Sequence, residues 1–464
     1  MTLNHLPVAL FFLLSLLGIA CSSSKNSANL NDGGIDADAQ TPIDANTADG
    51  GVGSGVFPLG VSANGRYVVD ASGNPFLIHG EAAWSLIVQL NLTEAETYLQ
   101  DRHSRGVTTL LVNLIESYFS DNPPNNANGD APFTTPGDFT TPNEAYFAHA
   151  DAVLALAADN GIAVMLFPSY LGYNGNSEGW FSVMSALTEQ ECTEYGHYVG
   201  SRYASYDNII WMWGGDYTPP SNSVGEDCMK AIADAIVAAD PNAPTSAHWA
   251  PETSSREKSR FADRIDYVGA YTYGYTLPFC RSKRDEQPTR PTFLLETRYE
   301  NEAGESVVNI RRQQWWGMLG CGAGQISGNR PIWLFDSGYA DEYDSPLSLY
   351  QQRLAALISA RPWYDLEPTD TLVTSGEGSG SSEVAASLTA DGTLALVYLP
   401  PDHNSGITVD LSLMSGSVTA TWYDPTTDAS VSAGSSLSGS QLFSHPGTNS
   451  EGQNDWLLEL TTQP

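Results

Sequence analysis

The sequence is poor in positive charge. Its 464 residues include 20 Lys and Arg against 54 Asp and Glu, so the formal net charge is −34. A protein with this charge repels polyanions, which excludes DNA and RNA as partners. Neutral glycans and basic partners remain compatible with it.

Two sequence motifs of other enzyme classes are missing. There is no HExxH, which argues against a zincin protease, and no GxxxxGK[ST], which argues against a P-loop nucleotide site. The cysteines have neither the CxxC nor the CxxH spacing of a zinc site. We therefore expect no metal and no organic cofactor.

The N-terminus predicts export. The apolar run Val8–Leu17 is too short for a comfortable membrane span, and it leads into LGIACSSS. Ala20 followed by Cys21 resembles a bacterial lipobox, so we interpret residues 1–21 as a lipoprotein signal peptide with Cys21 lipidated. The alternative is an ordinary signal peptide. Either reading favours a bacterial protein that is anchored to the cell envelope by lipid or is secreted. We expect contact with a membrane only through the lipid anchor.

Cysteine is scarce, with five in the chain. If Cys21 carries lipid, four remain, and an even number in an exported protein allows two disulfides. Three pairings are possible. We favour Cys192–Cys228 and Cys280–Cys321, because each pair lies in consecutive structural units; the alternative is four buried free thiols.

The chain divides into segments of different composition. Residues 22–56 are mostly small and polar and predict a disordered linker. In residues 57–366, short apolar strands alternate with helical patterns, in about eight strand units. This alternation predicts a parallel sheet closed into a (β/α)8 TIM barrel, whereas an open doubly wound sheet would need a glycine-rich phosphate turn after the first strand.

Residues 367–464 follow a different pattern. TLALVYLP, SVTATWYDP and WLLEL alternate at period two between Gly, Ser and Asp turns, which predicts a small antiparallel β-sandwich. The junction PWYDLEP is short and aromatic, so we expect the sandwich to brace the barrel rather than to bind glycan independently. We expect a monomer.

Two apolar strands each end on a carboxylate. IIWMWGGDYTPP reaches Asp216, and PTFLLETRYE reaches Glu296. In a barrel these ends of the fourth and seventh strands meet across the mouth, where a pair of carboxylates can perform glycoside hydrolysis. The alternative is structural: Asp216 as a cap of the next turn and Glu296 as a partner of Arg298.

Other strand ends carry polar and aromatic residues of the kind that lines a sugar pocket. Alternation along the fourth strand is expected to send one of Trp211 and Trp213 into the barrel and the other toward the helices. The candidate substrate-binding residues are Glu81, Trp84, Asn113, Glu116, Tyr170, His248, Tyr271 and Tyr273.

Several segments together resemble the apiosidase-like glycoside hydrolases, which include glycoside hydrolase family 140. ANGRYVVDASGNPFLIHGEAAWSL resembles the opening of that family, with Glu81 in place of its aspartate and Trp84 retained. NIIWMWGGDYTP resembles its acid/base segment and implies that role for Asp216. PTFLLETRYE resembles its nucleophile segment and implies that role for Glu296.

The resemblance continues to the C-terminus. RRQQWWGMLGCGAGQISGNRPIW resembles the end of the family's barrel, although GQISGN replaces a His-Thr-Tyr-Gly-like phrase. ALVYLPPDHNSGITVDLS, ATWYDPTTD and DWLLEL resemble the collagen-binding-type sandwich that usually follows. The resemblance implies a retaining glycoside hydrolase acting on a plant or microbial polysaccharide or oligosaccharide. The alternative from another class is a surface lipoprotein that binds glycans without catalysis.

Overall fold

A computed structural model describes residues 55–462 of the chain. The predicted signal peptide, Cys21 and nearly all of the predicted linker lie outside these residues. The described part begins with a small antiparallel sheet of three short strands: β1 (Gly60–Val61), β2 (Val68–Val69) and β3 (Pro75–Phe76).

Eight parallel strands form a nearly closed barrel, as the sequence predicted. Strand order runs from β8 through β7, β6, β5 and β4 to β12, β11 and β10, so the last strand of the barrel pairs with the first. A short ninth strand, β9, is antiparallel to β10. The bounds are β4 (Ile78–Ala82), β5 (Thr109–Asn113), β6 (Ala163–Phe167), β7 (Ile209–Gly214), β8 (Thr245–His248), β9 (Thr253–Ser254), β10 (Val268–Tyr271), β11 (Thr292–Glu296) and β12 (Gly324–Ser327).

A serine side chain bridges the gap between β8 and β10, which are not joined by a backbone ladder. The Ser255 hydroxyl donates to the carbonyl of Ala247 at 2.7 Å and accepts from the amide of Gly269 at 2.8 Å. It replaces the missing ladder bonds, so the barrel wall stays continuous at this point.

Helices cover the outside of the barrel. Their bounds are α1 (Leu86–Gln89), α2 (Leu92–Ser104), α3 (Glu144–Asp159), α4 (Phe181–Met184), α5 (Glu189–Tyr203), α6 (Val224–Ala239), α7 (Ser259–Ala262), α8 (Thr276–Arg284), α9 (Val307–Cys321), α10 (Arg330–Leu334) and α11 (Pro346–Ser359). Within residues 55–462, no helix has the length and apolar character that a membrane span requires.

Side-chain caps define where the main helices begin. The Asn91 side chain accepts from the backbone of Thr93 and Glu94, and the Glu94 side chain closes a capping box, so α2 begins one residue after Asn91. Thr188 and Glu191 form the same box on α5.

Trp211 and Trp213 do not divide between the two faces of β7, which contradicts the sequence interpretation. Both are fully buried on the helix side of the sheet, and the Trp211 indole N–H donates to Asp240 at 3.1 Å. Ile210 and Met212 fill the barrel interior instead. Residues two apart on a strand point the same way, so the two tryptophans had to share a face.

The C-terminal part is a two-sheet antiparallel sandwich. One sheet has the order β13–β15–β16–β21–β18–β19 and the other β14–β17–β20. The bounds are β13 (Leu366–Pro368), β14 (Val373–Ser375), β15 (Ala385–Thr389), β16 (Leu394–Leu399), β17 (Ile407–Asp410), β18 (Val418–Tyr423), β19 (Ser430–Leu437), β20 (Ser440–Phe443) and β21 (Trp456–Thr462).

Helix α9 packs against both the barrel and the sandwich. Arg311 makes a bidentate ion pair with Asp455 at 2.7 and 2.8 Å, and both side chains are essentially inaccessible to water. Trp315 stacks on Tyr398 with ring centroids 5.6 Å apart. The sandwich therefore buries a face of the barrel that would otherwise be solvent-exposed.

Two disulfides tie neighbouring helices together. Cys192 of α5 bonds to Cys228 of α6, and Cys280 of α8 bonds to Cys321 at the end of α9. This is the pairing that the sequence favoured among the three possible ones. Each bond joins helices that already lie side by side on the barrel.

Candidate active site

A pair of glycines turns the chain at the end of β7 and directs Asp216 to the barrel mouth. Gly214 and Gly215 have φ of 94° and 113°, which side chains rarely adopt. A Cβ on Gly215 would lie 2.3 Å from Cδ2 of Tyr170, and one on Gly214 would lie 2.3 Å from the carbonyl oxygen of His248. Asp216 itself has φ of 54°, so the aspartate is held in a strained backbone conformation.

His248, at the end of β8, lies between the two candidate catalytic carboxylates. Its Nδ1 accepts the backbone N–H of Asp216 at 3.0 Å, so Nδ1 carries no proton. Its Nε2 lies 2.7 Å from Oε2 of Glu296 and donates to it. The backbone contact thus fixes the ring as the neutral tautomer that serves Glu296.

Glu296 ends β11 at an irregularity in the sheet. The register between β10 and β11 shifts at Ala270 and Tyr271, which places Tyr271 opposite Glu296. The Tyr273 hydroxyl donates to Oε1 of Glu296 at 2.7 Å. Among residues 55–462, each oxygen of Glu296 therefore has one donor, His248 on one side and Tyr273 on the other.

Asp216 has two phenolic donors. Tyr170 donates to Oδ2 and Tyr271 to Oδ1, each at 2.7 Å. The ring of Tyr271 stacks on His248 with centroids 4.5 Å apart, which fixes the direction of its hydroxyl. The Asp216 side chain is 15% exposed and that of Glu296 is 5% exposed, so Asp216 is the carboxylate with more access to solvent.

Burial changes the acid–base properties of these groups. Removal from water and the charge of Asp216 raise the pKa of Glu296, against the opposing effects of His248 and Tyr273. Burial opposes a charge on His248, whereas the Asp216 and Glu296 carboxylates favour one and raise the pKa of the ring. The backbone N–H directed at Nδ1 works against that protonation and keeps the ring neutral. Burial and Asp216 also raise the pKa of Tyr170 and of Tyr271 well above the ordinary value, so both phenols stay protonated donors.

Asp216, His248 and Glu296 have potential metal-ligand atoms within 4.8 Å of one another. One imidazole and two carboxylates are a plausible donor set for a transition metal. Here, however, both nitrogens of His248 already make hydrogen bonds to other residues of the protein. The oxygens of both carboxylates do the same. These short hydrogen bonds account for the cluster, and we assign it no metal.

Two other predicted residues lie at the mouth. The Trp84 indole is 5.5 Å from the His248 ring, and its N–H donates to the Tyr299 hydroxyl at 3.2 Å. Asn113 ends β5 two residues after Leu111, which faces the barrel interior, so alternation turns Asn113 inward as well. Its amide N and O are buried and have no partner within the described residues, which leaves both free for a ligand.

Glu81 and Glu116 are each bound by other protein groups. Glu81 points to the helix side of β4, where Tyr98 of α2 donates to it at 2.8 Å and Arg102 lies 3.5 Å away. Glu116 is buried and accepts from the Ser85 hydroxyl and the Ser120 amide, and burial raises its pKa. Glu81 therefore faces away from the barrel interior, in contrast to the sequence expectation, whereas substrate binding by Glu116 stays a prediction.

Tyr299 was not anticipated from the sequence. It follows Glu296 by three residues, and beyond its bond to Trp84 it packs so closely on Gly328 that a Cβ there would lie 2.4 Å from its ring. The signal that could have revealed it is its place just after the strand that carries Glu296. A loop residue so close to a strand end lies at the mouth of a barrel.

A cleft of about 580 Å³ opens beside Tyr273. Its wall includes Trp316 of α9 and two residues of the sandwich, Gly380 and Ser381. Both domains therefore line a cavity that begins at the side chain bonded to Glu296.

The pentapeptide GNSEG, residues 175–179, matches the GxSxG spacing of serine-hydrolase nucleophiles. It lies in the loop after β6, and Ser177 is exposed. A nucleophile elbow requires a sharp turn between a strand and a helix, which this loop does not form, so we assign GNSEG no catalytic role.

Comparison with known proteins agrees with this geometry. The family described as "Apiosidase-like, catalytic domain" matches residues 62–366, and "Putative collagen-binding domain of a collagenase" matches residues 368–461. No curated protein matches the chain.

Solved structures show the same fold over both domains. One described as "Glycoside hydrolase" has a TM-score of 0.76 at 23% identity, covering 88% of this chain and 97% of its own. A glycoside hydrolase family 5 protein from Bacteroides vulgatus has a TM-score of 0.76 at 21% identity, covering 87% and 93%. The chain therefore belongs to the apiosidase-like family, and it is a glycoside hydrolase whose TIM barrel is followed by a β-sandwich.

Proposed function

We propose that the protein is a retaining glycosidase in which Asp216 is the general acid/base and Glu296 the nucleophile. The observation that carries this proposal is the closeness of the two carboxylates, since one oxygen of Asp216 lies within 4.8 Å of one oxygen of Glu296. Retaining enzymes hold their carboxyl groups about 5–5.5 Å apart, whereas inverting enzymes need about 6.5–9.5 Å to admit a water. The short separation supports retention.

The roles follow from the surroundings of each carboxylate. Asp216 gives its proton to the leaving oxygen as the glycosidic bond breaks, and Glu296 forms a bond to the anomeric carbon. Asp216 then takes a proton from water, whose oxygen displaces Glu296. Glu296 is the more buried carboxylate and is oriented at both oxygens, as a nucleophile requires, while Asp216 has more access to solvent.

The substrate we propose is a plant or microbial polysaccharide or oligosaccharide, in keeping with the apiosidase-like family. Trp84 and Tyr170 offer apolar ring surface for a sugar, and the free amide of Asn113 offers one acceptor and two donors to its hydroxyls. The cleft beside Tyr273 is large enough for further sugar units.

We also propose that the mature protein is a monomer anchored to the cell envelope by lipid on Cys21. The support is the lipobox-like LGIACSSS and the polar segment that follows it. Cys21→Ser is expected to move the protein from the membrane fraction to the soluble fraction of the producing cells. Sedimentation of the soluble form checks the monomer.

The test of the catalytic proposal begins with released sugar. The purified protein, Asp216→Asn and Glu296→Ala are incubated with a panel of plant and microbial polysaccharides and aryl glycosides. The parent is expected to release a sugar that neither variant releases. The matched control is Glu178→Gln, which removes a carboxylate from a loop at the mouth without touching the pair and should keep the activity.

The stereochemistry is then read from the same substrate. Proton NMR in the first minutes of hydrolysis is expected to show the product with the anomeric configuration of the substrate. The opposite anomer would overturn retention, and activity that survives both substitutions would mean that other carboxylates perform the reaction.

A further inference from the structure

One hydrogen-bonded chain links the two carboxylates through two tyrosines. Oδ1 of Asp216 lies 2.7 Å from Tyr271 Oη, which lies 2.8 Å from Tyr273 Oη, which lies 2.7 Å from Oε1 of Glu296. All three separations are those of hydrogen bonds between oxygens. The chain runs from one catalytic group to the other through protein atoms alone.

The number of protons decides when this chain is complete. Each tyrosine has one hydroxyl proton, so two phenols can supply two of the three bonds. When both carboxylates are ionised, each tyrosine donates its hydroxyl proton to a carboxylate. The two phenolic oxygens then face each other at 2.8 Å with no proton between them. When both carboxyls are protonated, four protons compete for three bonds.

A single added proton completes all three bonds. With the proton on Asp216, that carboxyl donates to Tyr271, Tyr271 donates to Tyr273, and Tyr273 donates to ionised Glu296. With the proton on Glu296, all three bonds reverse and remain complete. The geometry therefore favours the state with one proton over the states with none or two.

We propose that Tyr271 and Tyr273 form a proton relay that holds one proton between Asp216 and Glu296 and moves it to the aspartate that must donate it. This inference rests on the proposed retaining function, and it treats the tyrosines as positioning residues. The transfer breaks the O–H bonds of Glu296, Tyr273 and Tyr271 and forms those of Tyr273, Tyr271 and Asp216. One proton crosses the site, and both tyrosines end neutral.

The ionisable groups around the relay are consistent with this role. His248 gives its Nε2 proton to the other oxygen of Glu296 and so leaves Oε1 to Tyr273. Tyr170 occupies Oδ2 of Asp216 and leaves Oδ1 to Tyr271. Other ionisable neighbours are Tyr299, which accepts from Trp84, Glu252, which accepts the backbone N–H of Tyr273 at 2.9 Å, and Arg298, which lines the cleft with Tyr273. The carboxylates Glu302 and Glu178 also lie near the site, and Glu302 is 3.8 Å from Arg330.

Tyr170 offers a matched control for Tyr271. Both phenols donate to Asp216 at 2.7 Å, but only Tyr271 continues to Tyr273 and Glu296. The acid limb of the kcat/KM profile reports protonation of Glu296. Tyr271→Phe removes one of the four protons that compete for three bonds when both carboxyls are protonated, so that state becomes less unfavourable. The acid limb should therefore move to higher pH by about one unit. Tyr170→Phe should leave that limb in place.

A double-mutant cycle separates a relay from two local effects. In a Tyr273→Phe background the chain is already broken, so the further change Tyr271→Phe should no longer move the acid limb. An acid limb that Tyr271→Phe leaves unmoved in the parent, or moves equally in both backgrounds, would overturn the relay. Phenylalanine keeps the rings that pack the site, and thermal unfolding checks that each variant folds.

A second measurement needs no substrate. In protein labelled with ¹³C at the glutamate carboxyl, the Glu296 resonance is the one missing from Glu296→Gln. Its titration midpoint is expected to rise in Tyr271→Phe and not in Tyr170→Phe, and an equal response in the two variants would contradict the relay. Because this titration concerns the free enzyme, failure of the relay is distinguishable from failure of the retaining mechanism, which the anomer of the product tests.

Discussion

His248 Nε2 lies 2.7 Å from Oε2 of Glu296, while its Nδ1 accepts the backbone N–H of Asp216 at 3.0 Å. One side chain on β8 thus fixes the carboxylate of Glu296, the proposed nucleophile, together with the peptide of Asp216, the proposed acid/base. Because the ring is fully buried and stacked on Tyr271, it has no room to rotate.

We expect His248→Ala to lower kcat by about 100-fold, the order of loss that a misplaced catalytic group produces, with a smaller change in KM. The variants His248→Asn and His248→Gln separate the two contacts. Asparagine places an acceptor near the position of Nδ1, and glutamine places a donor near that of Nε2. Steady-state kinetics measures the effect, and equal losses in all three variants would show that the ring acts by packing alone.

The pH dependence of activity should reflect the environment of Glu296. Burial is the main cause that raises the pKa of Glu296 above the ordinary 4.5, and as the proposed nucleophile Glu296 must be ionised to attack. As the pH falls, Glu296 is therefore protonated early, and kcat/KM is expected to decline already above pH 4.5. A profile of kcat/KM against pH at constant ionic strength checks this, and full activity down to pH 4.5 would contradict it.

Gly215 should tolerate no side chain. Gly215→Ala places a Cβ 2.3 Å from the Tyr170 ring at a φ of 113°, so we expect a loss of stability of about 2 kcal/mol or more and a larger loss of activity. The matched control is Gly73→Ala, which has φ of 82° but nothing within 4 Å. Chemical denaturation measures the free energy of unfolding of both variants. Both share the backbone strain, and only Gly215→Ala adds the clash with Tyr170. Equal losses of stability would show that this clash has no effect.

The ion pair between the domains should be costly to break. Asp455→Asn leaves the buried Arg311 with only the exposed Glu451, 3.6 Å away, as a counter-charge, and we expect it to lower the free energy of unfolding by about 3 kcal/mol. The control is Asp344→Asn, which removes the 78% exposed partner of Arg105 and should cost about 0–1 kcal/mol. Urea unfolding measures both, and a similar small effect for the two variants would show that the buried pair is dispensable.

The fold and the positions of the two carboxylates could be predicted from the sequence, because both depend on local patterns. The alternation of strand and helix predicts the barrel, and apolar runs that stop at Asp216 and Glu296 mark strand ends. The direction of a side chain is harder to predict. Glu81 lies at a strand end, but side chains alternate along β4. Ile78 and Ala82 face the barrel interior, so Glu81 points outward to Arg102.

Long-range contacts set the rest of the site. The register shift beside Tyr271, the tautomer of His248 and the free amide of Asn113 each depend on a neighbouring strand. Helix α9 is another case, since its buried Arg311 and Gln314 make it look polar and exposed until the sandwich covers it. No pattern within a single segment carries this information.

The packing of the sandwich on α9 limits where the protein can be truncated. Trp315, Trp316 and Leu319 belong to one apolar cluster with Leu396 and Tyr398 of the sandwich. A chain ended near residue 366 would present those tryptophans and a lone guanidinium to water, a surface prone to aggregation. We therefore expect the barrel to remain soluble and folded only when the sandwich is attached to it.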